Sequence, residues 1–397
     1  MPGSWRCRGA LWLGRSCCCL YKKLSNKKIY KFIASMVVLC ILSRVANEGE
    51  MAKAWSIKAC GCAGVDVHCH IVPSSFPAAP AGMQAGWPSL RQDGCGHGTL
   101  IIDAKPYRTV SAACWEARRR LEDMDRMGIA VQALSPMPEL FSYWLPALAG
   151  AALIRHVNDM IAALLGEGQG RFVGLAGVPL QDLDLAVEEL RRVMAIPGFR
   201  GVEIGSNINE MPIGDPRLRP FFTEAARLGA AVFVHAVRPA GMARLVGPAP
   251  LQQVLGYPTD VGLALASAIT GGLVRDCPGL RLGFSHGGGS FAALLPRLRR
   301  GYEVFPALRE ALDECPTITA RRLYVDSLVF EPDWLSRLVT LFGAERVMLG
   351  TDYPFNFSEA APCDQVNAAC PDAALRQRLI QRNALAFLAM GEVQDAA

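Results

Sequence analysis

From Gly64 onward, short apolar β-branched runs alternate with longer stretches whose apolar residues recur at helical spacing. Gly64-Val-Asp-Val-His-Cys-His-Ile reads as a buried strand, and the Pro/Ala/Gly-rich stretch after it, about residues 72–108, reads as a long loop or small inserted subdomain. Leu121, Met124 and Met127 share one face of a helix expected over Ser111–Met127, which Gly128 ends before an apolar strand at Ile129–Leu134. The rhythm then repeats. Further strands are expected at Phe172–Val178, Gly201–Ile204, Ala231–His235, Leu280–Ser285, Leu323–Asp326 and Arg346–Gly350. Helices are expected between them at 151–165, Leu183–Met194, Arg217–Leu228, Val261–Arg275 and Trp334–Phe342, with a last one at about Ala373–Met390. Eight strands, each followed by helix, predict an α/β fold: a (β/α)8 TIM barrel with a small insertion after the first strand. No Gly-rich phosphate fingerprint follows the first strand, which argues against a doubly wound dinucleotide-binding sheet.

Residues 1–50 differ chemically from the rest. They carry nine Lys/Arg against two Asp/Glu, so the other 347 residues hold 32 basic and 34 acidic side chains, a net −2. The chain's formal +5 therefore belongs to its N-terminal segment, and no nucleic-acid partner is expected. The apolar run from Phe32 to Ser43 is too short to span a bilayer, and no segment is expected to approach the roughly 18 apolar residues that spanning needs. Three readings remain for this segment: sequence upstream of a start at Met51, a membrane-surface anchor, or an export signal. The first is preferred, giving an N-terminal extension over 1–58 and a catalytic domain over 59–397. Five of fourteen cysteines lie in the first 50 residues, and the rest form no disulfide pattern, so reduced thiols and a cytoplasmic location are expected. Cys60-x-Cys62 and Cys95-x-His97 are weak metal-site patterns in Gly-rich surroundings, and for both the preferred reading is residues that bind no metal.

In barrels of this class, polar residues at the C-terminal strand ends converge on the active site. His68 and His70, two apart on the first strand, face the same way, into the barrel, and Cys69 faces outward. His235 ends the fifth strand, His286 the sixth, and Asp352 follows the eighth, so four of six histidines sit at strand ends. Three neutral imidazoles and a carboxylate suit one divalent ion, Zn2+ first and Mn2+ second, and leave a coordination position open as catalytic sites do. His97 in the Gly-rich stretch and His156 in a helix are expected to be exposed or hydrogen-bonded.

Val-Asp-Val-His68-Cys-His70, Phe-Val-His235, Phe-Ser-His286-Gly-Gly-Gly-Ser-Phe, Tyr324-Val-Asp-Ser and Leu-Gly-Thr-Asp352-Tyr-Pro-Phe, in that order, resemble the amidohydrolase superfamily. More narrowly they resemble its decarboxylase branch, typified by 2-amino-3-carboxymuconate-6-semialdehyde decarboxylase, over about Val65 to the end. The resemblance implies a mononuclear site with His68, His70, His235 and Asp352 as ligands, Asp352 being also catalytic, and His286 as acid/base. No strand-end lysine is present to bridge two metals. It also implies that Arg108 binds a substrate carboxylate and that Arg297 reaches a neighbouring subunit's site in a homodimer. The chain departs from the branch at Ala236-Val-Arg238-Pro-Ala-Gly, where an aromatic residue and an acid give way to small residues and a cation.

The implied function is metal-dependent, non-oxidative decarboxylation of an unsaturated or aromatic carboxylic acid, with 2-amino-3-carboxymuconate-6-semialdehyde as first candidate. The alternative is a metal-dependent hydrolase of an acidic lactone, ester or amide, with Arg238 binding the acid. A metal-binding protein without catalysis would have no use for His286.

Overall fold

A computed structural model of the chain describes residues 64–83 and 86–391. The N-terminal extension, the boundary expected at 58/59 and Cys60-x-Cys62 lie outside these described residues.

Thirteen strands follow in order: β1 (Gly64–Ile71), β2 (Ser89–Gln92), β3 (His97–Ile102), β4 (Lys105–Ser111), β5 (Ile129–Pro136), β6 (Phe172–Ala176), β7 (Phe199–Gly205), β8 (Asn207–Ile208), β9 (Met211–Pro212), β10 (Ala231–His235), β11 (Arg281–Phe284), β12 (Tyr324–Asp326) and β13 (Val347–Met348). Eight of them form one sheet in the order β1-β5-β6-β7-β10-β11-β12-β13, with parallel pairing throughout. The chain beyond β13 closes the ring on β1. Val67 N donates to Leu349 O at 3.0 Å, Asp352 N to His68 O at 2.8 Å, and His70 N to Tyr353 O at 2.8 Å. Asp66 ties the same seam, its carboxylate accepting from Thr351 Oγ1 at 2.7 Å, Gln132 Nε2 at 3.2 Å and His68 N at 3.1 Å.

The strands are apolar because both of their faces are covered. β10, Ala-Val-Phe-Val-His, is buried at every position. The outer layer contains α1 (Ala117–Met127), α2 (Ala147–Glu167), α3 (Leu183–Met194), α4 (Arg219–Arg227), α5 (Tyr257–Thr270), α6 (Phe291–Val304) and α7 (Pro332–Phe342), with short C-terminal helices from Pro362 to Phe387. α3 shows why such segments are helical. Asp182 caps it by accepting from Leu185 N at 3.1 Å, and Ala186, Glu189, Leu190 and Val193 recur at helical spacing on the buried side. Gly201 is required where β7 meets β10, since a Cβ there would lie 2.0 Å from Ala231 O.

The predicted barrel is present, and its strands begin and end within about three residues of expectation. Three expectations need correction. The insertion is an antiparallel sheet in the order β2-β3-β4, and it runs to Ser111 rather than 108. Its last strand takes residues assigned to the first helix, which starts at Ala117 instead of Ser111. Finally, α2, of 21 residues, is long and apolar enough to cross a membrane, with a mean hydropathy of 1.3 over an 18-residue window, contrary to the expectation that no segment is. Its apolar side, including Leu153, Ile154, Val157 and Ile161, is buried against the barrel, the position of a core helix.

Candidate metal centre and active-site cavity

β1 delivers His68 and His70 to the barrel interior, both fully buried, while Cys69 points outward and its thiol donates to Ala133 O at 3.1 Å. β10 delivers His235, also buried. Asp352 comes from the turn after β13, in a left-handed conformation of φ 65°, which a non-glycine residue keeps only where its surroundings enforce it. The four side chains meet. Asp352 Oδ1 is 3.0 Å from His70 Nε2 and 3.5 Å from His68 Nε2, and the three imidazole centroids are 5.0–5.1 Å apart. One ligand atom from each lies within 4.8 Å of all the others.

His68 Nε2, His70 Nε2, His235 Nε2 and Asp352 Oδ1 are all buried without a hydrogen-bond partner. Four unsatisfied polar atoms facing one another would cost several kcal/mol, roughly 1–3 each, if nothing joined them. The donor set therefore fits a divalent metal ion. The far nitrogens are already fixed, which leaves the near ones for a ligand. His68 Nδ1 meets Asp326 Oδ2 at 2.6 Å, His70 Nδ1 lies 3.2 Å from Pro136 O, and His235 Nδ1 lies 2.8 Å from Ala236 O. Burial lowers the pKa of His68, but the Asp326 hydrogen bond and the Asp352 charge outweigh it and carry it to about 9. His235 has no carboxylate partner, and burial together with the charges of His68 and His70 pushes it well down. Burial alone would raise Asp326 and Asp352, but the hydrogen bond with His68 holds Asp326, and the imidazoles of His70 and His68 beside it hold Asp352, below the usual carboxylate range.

His286 stands beside this cluster, its ring centroid 5.0 Å from that of His235 and 5.3 Å from that of His68. It too is left-handed, at φ 55°, and Gly287, Gly288 and Gly289 continue at 64°, 75° and 58°. The glycines are required here, because a Cβ on Gly289 would lie 1.9 Å from Pro258 O. Ser285 Oγ sits 3.1 Å from His286 Nδ1. Burial, then the His68 charge, lowers the His286 pKa to about 4.

A cavity of about 420 Å3 opens above these residues, lined by His235, His286, Asp352, Arg108, Glu139 and Phe355 among others. Arg108, on β4 of the inserted sheet, lays its guanidinium over the Phe355 ring at 4.3 Å from the centroid. Among the described residues it has no ion pair, so its fork is free for a ligand. Arg297 is exposed on α6 and does not line this cavity. Arg238 lines a second cavity of about 410 Å3, stacked on Trp144 at 3.2 Å from its centroid and 3.6 Å from the Asp103 carboxylate. His156 lies 2.9 Å from Ser75 O. His97 is exposed at the β2–β3 turn, with Asp93 and Cys95 near enough to offer ligand atoms within 4.8 Å of its own.

A family model described as Amidohydrolase matches residues 65–390. The chain belongs to the amidohydrolase family. This amidohydrolase is 34% identical over 332 residues to 2-amino-3-carboxymuconate-6-semialdehyde decarboxylase of Dictyostelium discoideum, an alignment covering 82% of this chain and 91% of that protein. The crystal structure of Metarhizium anisopliae IDCase aligns with a TM-score of 0.70 at 20% identity, covering 83% of this chain and 98% of the other. A dihydroxybenzoic acid decarboxylase from Polaromonas, solved with bound manganese and the inhibitor 2-nitroresorcinol, gives 0.66 at 19% identity and covers 83% and 97%. Both structures share the fold of this amidohydrolase.

Four polar residues near the site had no role assigned from the sequence. Asp326, inside the Tyr324-Val-Asp-Ser motif, fixes His68 and also accepts from Gly287 N at 2.8 Å, linking a candidate ligand to the His286 turn. Arg120 is buried in α1 and donates to His70 O at 2.6 Å and Gln132 Oε1 at 3.1 Å. Glu203 is buried in the barrel 3.7 Å from His70 Nδ1, its pKa raised by burial. Glu139 lines both cavities.

Proposed function

We propose that this amidohydrolase is a metal-dependent, non-oxidative decarboxylase of an unsaturated or aromatic carboxylic acid, with 2-amino-3-carboxymuconate-6-semialdehyde as the first substrate to test. One observation carries the reading: the unsatisfied donor set of His68, His70, His235 and Asp352 opens, through His235 and Asp352, on a cavity also lined by His286 and the free guanidinium of Arg108. The name of the Dictyostelium relative supports decarboxylation over hydrolysis of an acidic lactone, ester or amide. Loss of carbon dioxide leaves an electron pair that a conjugated enol, enamine or phenol must accept. A divalent ion in the donor set supplies positive charge to stabilise the resulting oxyanion. Zn2+ suits three imidazoles and a carboxylate, and the manganese in the Polaromonas structure makes Mn2+ the second candidate.

His286 relays the proton: its pKa of about 4 leaves the ring neutral at rest, so it takes a proton from water in the cavity as it passes one to the substrate. Ser285 Oγ next to Nδ1 leaves Nε2 as the nitrogen that delivers a proton to the substrate carbon. Arg108 holds a substrate carboxylate bidentately while its other face stays on Phe355. Arg297 serves a partner subunit's site in a homodimer, which fits its exposure and its place outside the lining of its own cavity. The free thiols among the described cysteines support a reducing, cytoplasmic setting.

The test is carbon dioxide release by metal-loaded protein from freshly generated aminocarboxymuconate semialdehyde and a panel of hydroxybenzoates. Release is expected, and His286→Ala should keep its metal while losing about 100- to 10,000-fold in rate. Metal-replete protein that releases no carbon dioxide, but puts solvent oxygen into an acidic ester or lactone, would overturn the reading.

A further inference from the structure

Glu139 is a carboxylate at the cavity wall that the proposed chemistry does not use. It lies on the short helical turn Pro138–Phe141 just after β5, so it reaches the barrel's active-site face, and it is 9% exposed. Tyr107 and Tyr257 both donate to the same oxygen, Oε1, the latter at 2.7 Å, and their hydroxyls are 3.3 Å apart. Burial, then the charge on Glu139, pushes both phenols well above their ordinary range, so both remain protonated donors.

The second oxygen, Oε2, has no hydrogen-bond donor among the described residues. A carboxylate offers about four acceptor sites and no donor, and Oε2 lines the cavity with its acceptor sites open to whatever binds there. Arg108 lines the same cavity, where burial alone would lower its pKa but the charges around it, Glu139 first, outweigh that, and it makes no hydrogen bond to Glu139. The cavity thus presents a free cationic fork and a free acceptor, fixed in place by two tyrosines.

We propose that Glu139 Oε2 is the recognition point for a hydrogen-bond donor on the substrate, so that the site selects acids bearing an amino or hydroxyl group close to a carboxylate held by Arg108. This rests on the decarboxylase reading and narrows its substrate class. A site built around a buried acceptor discriminates strongly against an analogue that lacks the donor, because the acceptor is then left unpaired.

The test reads binding rather than turnover. Full-length, zinc-loaded protein is titrated by calorimetry with 2-aminobenzoate and with 2-methylbenzoate, similar in shape but without the donor. The amino acid should bind about tenfold or more tighter, as expected for a hydrogen bond to a charged group. Glu139→Ala should remove that preference and leave 2-methylbenzoate binding unchanged. Glu139→Gln keeps an oxygen for the tyrosines and turns an amide N–H2 toward the ligand, so it should also erase the preference, and it guards against misfolding of the alanine variant. No preference in the wild type would overturn the proposal. Equal weakening of both probes in the two variants would also overturn it, because Glu139 would then only brace Tyr107 and Tyr257. Discrimination with no carbon dioxide release would count against the decarboxylase reading and leave the donor subsite standing. Carbon dioxide release without discrimination would do the reverse.

Discussion

At the floor of the cavity, His68, His70 and His235 sit on barrel strands with their far nitrogens held by Asp326, Pro136 O and Ala236 O, and every one of them is buried. At the rim, Arg108, Glu139 and Arg238 come from the inserted sheet, a helical turn and a loop, and two of the three belong to a second cavity as well as or instead of the first. The floor is over-determined: a ligand cannot move without breaking a backbone hydrogen bond or the seam between β1 and the turn after β13. The rim is held by ring stacking, a half-exposed ion pair and hydrogen bonds between side chains, which tolerate exchange of side chains. A fixed metal centre beneath a replaceable rim is how one barrel supports different substrates.

Substitutions at the floor should therefore be severe and act through the metal. His235→Ala removes one of four unsatisfied donors, and metal should be lost on dialysis with a fall in turnover of about 1,000-fold or more. Elemental analysis and carbon dioxide release check this, and a stoichiometric metal content in the variant would break the assignment of His235 as a ligand. The next largest effect is expected one residue further out. Asp326→Asn weakens the hold on His68 and on Gly287 N, and metal affinity should fall about 10- to 100-fold, read by competition with a chromogenic chelator. Unchanged affinity would mean that the 2.6 Å contact is not what orients His68.

The rim should respond in binding and not in metal content. Arg108→Ala should raise KM about 10- to 100-fold with kcat changed by only a few-fold, since its guanidinium would bind substrate and transition state alike. A drop in kcat matching the loss in kcat/KM would place Arg108 at the reacting carbon instead of at a remote carboxylate.

The same contrast governs what the sequence made legible. Ala231–His235 was read to the residue because an apolar run buried on both faces stops at a polar side chain exactly where a barrel strand ends. The two-residue spacing of His68 and His70 settled their shared direction, and the structure places both side chains inside the ring. Glu203 obeys the same period of two, but within Gly-Val-Glu-Ile-Gly a lone acid reads as a solvent position, and only barrel closure turns that face inward. Arg120 was hidden for a related reason: it stands third in a run of three arginines, and which of them points at the core depends on how α1 docks. An insertion is legible after the first strand but its hairpin β3–β4 is not, because the Gly- and Pro-containing sequence looks like loop and the sheet exists through antiparallel pairing, such as Leu100 opposite Arg108, that no local pattern announces. Glu139 follows the second barrel strand within Pro-Met-Pro-Glu, a place that implies the active-site face only once the strand is known to continue to Pro136.

Arg238 makes the smallest and most selective test of the difference between floor and rim. The hydrolase alternative gave it the task of binding an acidic substrate next to His235. In the structure its φ is 40°, and its guanidinium lies over Trp144 and beside Asp103, facing the second cavity rather than the one that holds Asp352. Half-exposed stacking and ion-pair contacts of this kind contribute about 0.5–1 kcal/mol, and alanine accepts the left-handed backbone no worse than arginine does. Arg238→Ala should therefore lower stability by no more than about 1 kcal/mol in denaturant titration. KM and kcat for decarboxylation should stay within about twofold of the wild type, in contrast to Arg108→Ala. A tenfold rise in KM on removing Arg238 would mean that the two cavities join when substrate binds, with the Tyr107–Glu139–Tyr257 bridge opening between them.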